Sequence, residues 1–257
     1  FGSDALEVID IADPAFPKHA GSIVDGTDGA YLDGPSSVWK VGHFVYVASI
    51  VSNALEIIDV TDPASPVHKG NLQNGDGGAY IGNPTAVTVA GNYAYIVGQS
   101  SDNLEIIDIS DPGEPVYQGG VRNGIAGARL KGPNAIFVAG TSAYVVGYSN
   151  ALQIVDVADP SSPFAAGALS NGGFLGEPRA VEVSGNYAYV ASMSSDAIAI
   201  IDISNPSSPA HATAIVEGSG NPPMNKPNAL SVSGNYLYVT SADDRSVVVM
   251  DIKSPTT

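Results

Sequence analysis

Residues 55–63 read LEIIDVTDP, and the same string recurs as LEVIDIADP from Leu6, LEIIDISDP from Leu104, LQIVDVADP from Leu152, IAIIDISNP from Ile198 and VVVMDIKSP from Val247. Six copies of one string are an internal repeat, and its period bounds the architecture before any local propensity is weighed. Their aspartates, Asp10, Asp59, Asp108, Asp156, Asp202 and Asp251, lie 49, 49, 48, 46 and 49 residues apart. That is close to the length of a propeller blade and longer than most helical repeats. Each string is apolar on both faces, as a strand covered on both sides must be, and its Asp-Pro ending stops the strand because proline has no amide to give to a ladder.

A second string, Pro-x-small-apolar-x-apolar-x-Gly, starts at Pro35, Pro84, Pro133, Pro178 and Pro227 and is followed by YVAS, AYIVG, AYVVG, AYVAS and LYVTS. Val87 and Val89, or Val181 and Val183, alternate at a period of two, and Gly91-Asn92, Gly185-Asn186 and Gly234-Asn235 offer tight hairpin turns. These are two antiparallel strands. The Leu-x-Ile-x-Asp string supplies a third and segments such as 116–121 a fourth. No segment has a helical period, and the 29 Gly and 18 Pro residues fall at turn positions. The chain reads as all-β.

On these motifs the chain resembles the LVIVD-repeat proteins, a bacterial and archaeal β-propeller family, and more loosely the YVTN-type surface-protein propellers. The resemblance covers nearly the whole chain. It implies an extracellular or cell-surface propeller and brings no catalytic residues with it. Asn205 departs from the repeated Asp-Pro, as do Lys253, Ser254 and Pro255 at the last turn.

Naming the strands of a blade A to D from the axis outward, the N-terminal segment (1–24) supplies a C and a D strand. Residues 35–74, 84–122, 133–171 and 178–216 are complete blades, and 227–252 supply A, B and C. A single domain over 1–257 is then a five-bladed β-propeller of four-stranded antiparallel blades with one surplus terminal strand. Leu6, Val8, Ile9 and Ile11 on one segment and Val247, Val249, Met250 and Ile252 on the other match the same C position beside residues 236–241. Soluble monomers avoid leaving such an apolar strand with an unpaired edge. Pairing with another copy of the chain, head to tail, covers it and yields an open polymer when the contact does not close. An extra strand within the same molecule, or a chain cut from a longer propeller, are the other arrangements.

With 26 Asp and Glu against 10 Lys and Arg, the formal charge is −16, which argues against nucleic acid and anionic lipid as partners. No cysteine is present, so disulfides, thiolate metal sites and cysteine nucleophiles are excluded. The longest apolar stretch, 44–51, is too short to span a bilayer, so no membrane insertion is expected. A start at Phe1 without Met reads as a processed chain.

The histidines His19, His43, His68 and His211 lie in different repeats without metal-binding spacing, and no GxSxG, SxxK or Walker loop occurs, so no enzyme is expected. Asp pairs such as Asp59 with Asp62 recur in nearly every unit, which suits Asx-turn capping better than acid–base catalysis. Glu7, Glu56 and Glu105 recur on the strand and read as solvated or locally bonded. Asp25, Asp28, Asp33 and Asp76 place hard oxygen ligands on Gly-rich loops, a weak Ca²⁺ candidate that no EF-hand pattern completes. The loop aromatics Tyr31, Tyr80 and Tyr148, with Trp39, suit either packing beneath their loops or sugar stacking. Two functions are thus expected. The first is a non-enzymatic extracellular structural protein polymerising by strand donation between propellers. The second is a monomeric surface propeller binding a protein or glycan through its loop face.

Overall fold

A computed structural model describes residues 3–170, 173–217 and 223–254; Phe1 and Pro255, used above, lie outside these. Among the described residues there are 21 strands and no α-helix. β1 (Ala5–Asp10) and β2 (Lys18–Val24) form a two-stranded sheet. Four sheets of four antiparallel strands follow. They are β3 (Pro35–Val41), β4 (Phe44–Ser49), β5 (Ala54–Asp59) and β6 (Val67–Gln73); β7 (Pro84–Ala90), β8 (Tyr93–Gly98), β9 (Asn103–Asp108) and β10 (Val116–Arg122); β11 (Pro133–Ala139), β12 (Ser142–Gly147), β13 (Ala151–Asp156) and β14 (Phe164–Ser170); and β15 (Pro178–Ser184), β16 (Tyr187–Ser192), β17 (Ala197–Asp202) and β18 (Ala210–Val216). A three-stranded sheet of β19 (Pro227–Ser233), β20 (Tyr236–Ser241) and β21 (Ser246–Asp251) ends the chain. The fold is all-β with the four-stranded antiparallel blades of a propeller.

Local chemistry explains the strand ends. At the β3–β4 and β7–β8 hairpins only the first turn residue, Gly42 or Gly91, has a positive φ (57° and 59°), the pattern of a type II′ turn that matches strand twist. Between the third and fourth strands the aspartates form Asx turns. Asp59 Oδ1 accepts the Thr61 amide at 2.8 Å, Asp62 Oδ1 the Ala64 amide at 3.0 Å, and Asn205 Oδ1 keeps the same bond to Ser207 at 3.2 Å. These bonds favour the ionised carboxylate and hold Asp59 below its ordinary value, the Thr61 hydroxyl contributing most.

The chain forms two compact units, Phe1–Gly119 and Gly120–Thr257, the boundary falling within β10. In the first unit, Leu6 and Val8 of β1 pack with Ile23, Val45, Val47 and Ile58, while Leu55 and Ile57 on the opposite face of β5 pack with Val87, Ile96 and Ile107. In the second unit, Leu152 and Ile154 pack with Val181, Val190 and Ile201, and Ile198 and Ile200 pack with Leu237, Val239 and Met250. Neighbouring blades also meet backbone to backbone. A Cβ on Gly70 of β6 would lie 2.5 Å from the Pro112 carbonyl oxygen of the next blade's Asx turn, and one on Gly21 of β2 would lie 2.5 Å from that of Pro63.

Candidate functional site

The repeat gives an internal standard for judging which strand is incomplete. β5 sits between β4 and β6, and its Ile58 is 0% exposed. The equivalent Ile9 on β1 is 49% exposed: Ile58 is covered by the preceding sheet through Ile23, Leu6 and Val8, whereas the matching face of β1 is left open, and β1 pairs within its sheet with β2 alone, its other edge facing no strand of that sheet. Two hollows border that edge. One, of about 340 Å³, lies between Ala5–Glu7 and the Pro35–Val38 stretch with Val47. The other, of about 660 Å³, lies between Val8–Ala12 and Asp62–Ala64. The first lies at the place where, in the next pair of blades, Tyr46 and Ala48 of the B strand β4 pack against Val87, and the second also reaches Ala20 of β2. Val38, which lines the first, is 56% exposed against 3% for its counterpart Val87.

At the other end of the chain β21 holds the C position beside β20, with Tyr238 opposite Val249 and Thr240 opposite Val247. One face of this sheet is buried through Leu237, Val239, Val248, Met250 and Ile252. The other exposes Tyr236, Tyr238, Val247 and Val249, and β21 has no strand on its outer side within the sheet. The eight residues read from sequence as assembly strands therefore divide. Ile9, Ile11, Val247 and Val249 are exposed, Leu6 and Val8 are packed against the neighbouring blade, and Met250 and Ile252 are buried.

Two recurring bonds were not anticipated from sequence. Two residues before five of the six C-strand strings stands an Asp or Asn in the left-handed conformation, and in four of them its Oδ1 accepts the amide of the residue preceding the next blade's first proline. Asp4 accepts Gly34 at 3.1 Å, Asn53 accepts Asn83 at 2.7 Å, Asn150 accepts Glu177 at 3.0 Å and Asp196 accepts Lys226 at 2.8 Å. Asp and Asn tolerate this conformation better than other side chains, which makes the residue type a usable signal. The second bond ties a loop to a strand. Glu56 Oε2 accepts the Tyr31 amide at 3.0 Å while its Oε1 meets His68 Nδ1 at 2.5 Å, and Gln153 Oε1 accepts the Arg129 amide at 2.8 Å.

Of the two readings for these glutamates, the solvated one holds for Glu7, which is exposed with His19 Nε2 at 2.7 Å, and the locally bonded one for Glu105, which is buried and accepts from Asn103 Nδ2; Glu56 is buried and bonds the distant Tyr31 amide instead. Burial pushes the Glu56 carboxyl above its ordinary value; the His68 and Tyr31 hydrogen bonds and the His68 charge oppose the shift, and Asp25 adds to it.

Among the candidate calcium ligands, Asp25 Oδ1 is taken by the Leu32 amide at 2.7 Å and Asp76 Oδ2 by the Gln73 amide at 2.9 Å. The neutral Asn123 makes the Asp25 bond in its own loop, to Leu130 at 3.0 Å, so the loop needs an acceptor there rather than a charge. Asp28 and Asp33 join neither bond, and among the described residues no three acidic or histidine side chains gather as metal ligands. Of the loop aromatics, Tyr80 and Tyr148 are exposed on separate loops, and the Arg179 guanidinium lies 5.6 Å from the Tyr148 ring centre. No described helix is long and apolar enough to cross a membrane.

The LVIVD repeat matches this chain five times, at residues 35–74, 81–122, 134–169, 175–214 and 226–257. The chain belongs to the LVIVD-repeat family, and its five repeats fit a five-bladed propeller, with β1 and β2 lying outside the matched segments. Among curated proteins none matches. Solved structures share the fold at low identity. A "putative 6-phosphogluconolactonase" from Bacteroides uniformis superposes with a TM-score of 0.77 at 15% identity, covering 98% of this chain and 75% of its own. A functionally unknown protein from Desulfotomaculum acetoxidans gives 0.70 at 16%, covering 91% and 68%. The computationally designed Ika8 protein gives 0.65 at 11%, covering 91% of this chain, which spans 62% of the designed one. At such identities the likeness carries the fold alone.

Proposed function

We propose that this chain is a non-catalytic structural subunit of an extracellular or cell-surface assembly, in which the open edge of β1 in one copy accepts a strand from the next copy. The single observation that carries the reading is that edge: an apolar strand, bare of a neighbour on one side, beside a hollow at the place a B strand fills elsewhere in the same chain. Unpaired strand edges recruit strands, and main-chain hydrogen bonds supply affinity while the alternating side chains supply register. The second copy is the occupant because its β19–β21 sheet presents a B strand of the repeated type beside an exposed apolar face containing Tyr236 and Tyr238. Buried aromatics bring about 150–250 Å² each, so two tyrosines with the facing aliphatic side chains and two strand edges reach roughly the 1,200 Å² at the low end of stable interfaces. Donor and acceptor are different surfaces, so the contact is head to tail and propagates.

The reading is tested by native mass and negative-stain imaging. Fibres or large assemblies support it. Particles of 26.1 kDa at all concentrations reject it and leave the monomeric, ligand-binding propeller. Deleting residues 1–13 should abolish assembly while leaving the β3–β18 blades folded.

A further inference from the structure

We infer that at this joint the C-terminal strand β21 gives way, and that β1 with β2 of one copy takes its place beside β20 of the next. This rests on the assembly reading above and decides which end yields.

β21 lacks what fits a C strand into a ring of blades. Where Asp4, Asn53, Asn150 and Asp196 accept the next blade's amide, β21 is preceded by Arg245, in the same left-handed conformation (φ 51°) but with donors only. Where Glu56 and Gln153 anchor a loop amide, β21 carries Val248, and the loop position matching Tyr31 and Arg129 is Pro223, which has no amide to offer. β1 has the missing parts. Asp4 already holds Gly34, Asp13 already forms its Asx turn to Ala15, and Gly21 of β2 already abuts Pro63. β1 also brings its own outer strand, so β19–β20 gains a complete four-stranded blade instead of an edge.

The register is compatible. Aligning the two strings puts Asp10, Ile9, Val8 and Leu6 where Asp251, Met250, Val249 and Val247 now stand, so Ile9 enters the buried site of Met250. The one mismatch is Glu7, which replaces Val248 in an apolar cluster beneath a loop residue without an amide and keeps only His19 as a partner. The exchange therefore has a signature that a simple stacking of intact sheets lacks: Glu7→Val should tighten the assembly.

The chain has no cysteine, which makes the test clean. Full-length Val8→Cys and Tyr238→Cys variants, mixed and oxidised, should give a disulfide product of two chains, because exchange places these residues directly opposite. Glu7→Val should lower the concentration for half-assembly about tenfold, the factor for roughly 1.4 kcal/mol of relieved burial. Val249→Pro, which breaks the β21 ladder, should leave assembly intact, and Val8→Pro should abolish it. Loss of assembly on Val249→Pro without the cross-link, in a wild type that does assemble, overturns the exchange while leaving strand donation standing. A wild type that stays at 26.1 kDa overturns both.

Discussion

The buried carboxylate of Glu56 permits a prediction with a control inside the same molecule. Glu56 is fully buried and holds two groups, the Tyr31 amide and the His68 ring, whereas Gln153 at the equivalent position of β13 holds the Arg129 amide as a neutral side chain. Glu56→Gln should keep the amide bond and weaken only the contact with His68, lowering stability by about 1 kcal/mol or less. Glu56→Leu fills the space but leaves the Tyr31 amide and a mostly buried His68 without their acceptor. An orphaned buried group costs about 1–3 kcal/mol, and His68 keeps some access to water, so the total should be about 2–3 kcal/mol. Urea unfolding monitored by circular dichroism measures both, and amide exchange at Tyr31 should accelerate only in the leucine variant.

The pH dependence adds a sign. Because burial raises the Glu56 carboxyl above its ordinary 4.5, the folded state takes the proton first. The stabilisation is then fully present below 4.5 and fades as pH rises through the raised folded value. Relative to wild type, the glutamine variant should be weakest in acid and recover toward neutrality. Equal losses for the two variants, or no pH trend, would refute the view that this residue acts as a loop acceptor held in a dry site.

Other outcomes follow from the same contacts. Gly70→Ala should destabilise the protein by about 3 kcal/mol, at the upper end for overpacking, because the new Cβ meets the Pro112 and Gly113 carbonyl oxygens, which are backbone and yield little; thermal unfolding checks it, and an unchanged midpoint would mean the blades are free to separate. Asn53→Ala should cost about 1–2 kcal/mol through the lost Asn83 bond and the left-handed backbone, whereas Asn53→Asp should be near neutral, since Asp4 and Asp196 make the same bond. Burial pushes the Glu182 carboxyl up to about 7, so its contribution is present in acid and lost as pH rises through about 7; Glu182→Gln should flatten the stability profile between pH 5 and 8, and an unaltered profile would place that carboxyl in water.

The strand positions were legible because their causes are local. An Asp two residues before an amide caps a turn wherever it occurs, as Asp59 does with Thr61, and a Gly-Asn pair turns a hairpin without help from elsewhere. The bonds that join blades were not legible, because Asn53 meets Asn83 30 residues away and Glu56 meets Tyr31 across 25. The signal that carries them is the recurrence of Asp or Asn ahead of five of the six strings. The calcium reading rests on the acidic residues of the loops, of which Asp25 and Asp76 each accept a backbone amide in the fold.

The sequence by itself determined the period, the strand order and the number of strands, since each repeat carries its own alternation and stops. Tertiary structure alone decided which copies of one string are covered. Ile9 and Ile58 stand at the same place in nearly the same words, and one is half in water while the other is dry, because burial depends on which sheet packs over each face and no strand's own residues encode that neighbour.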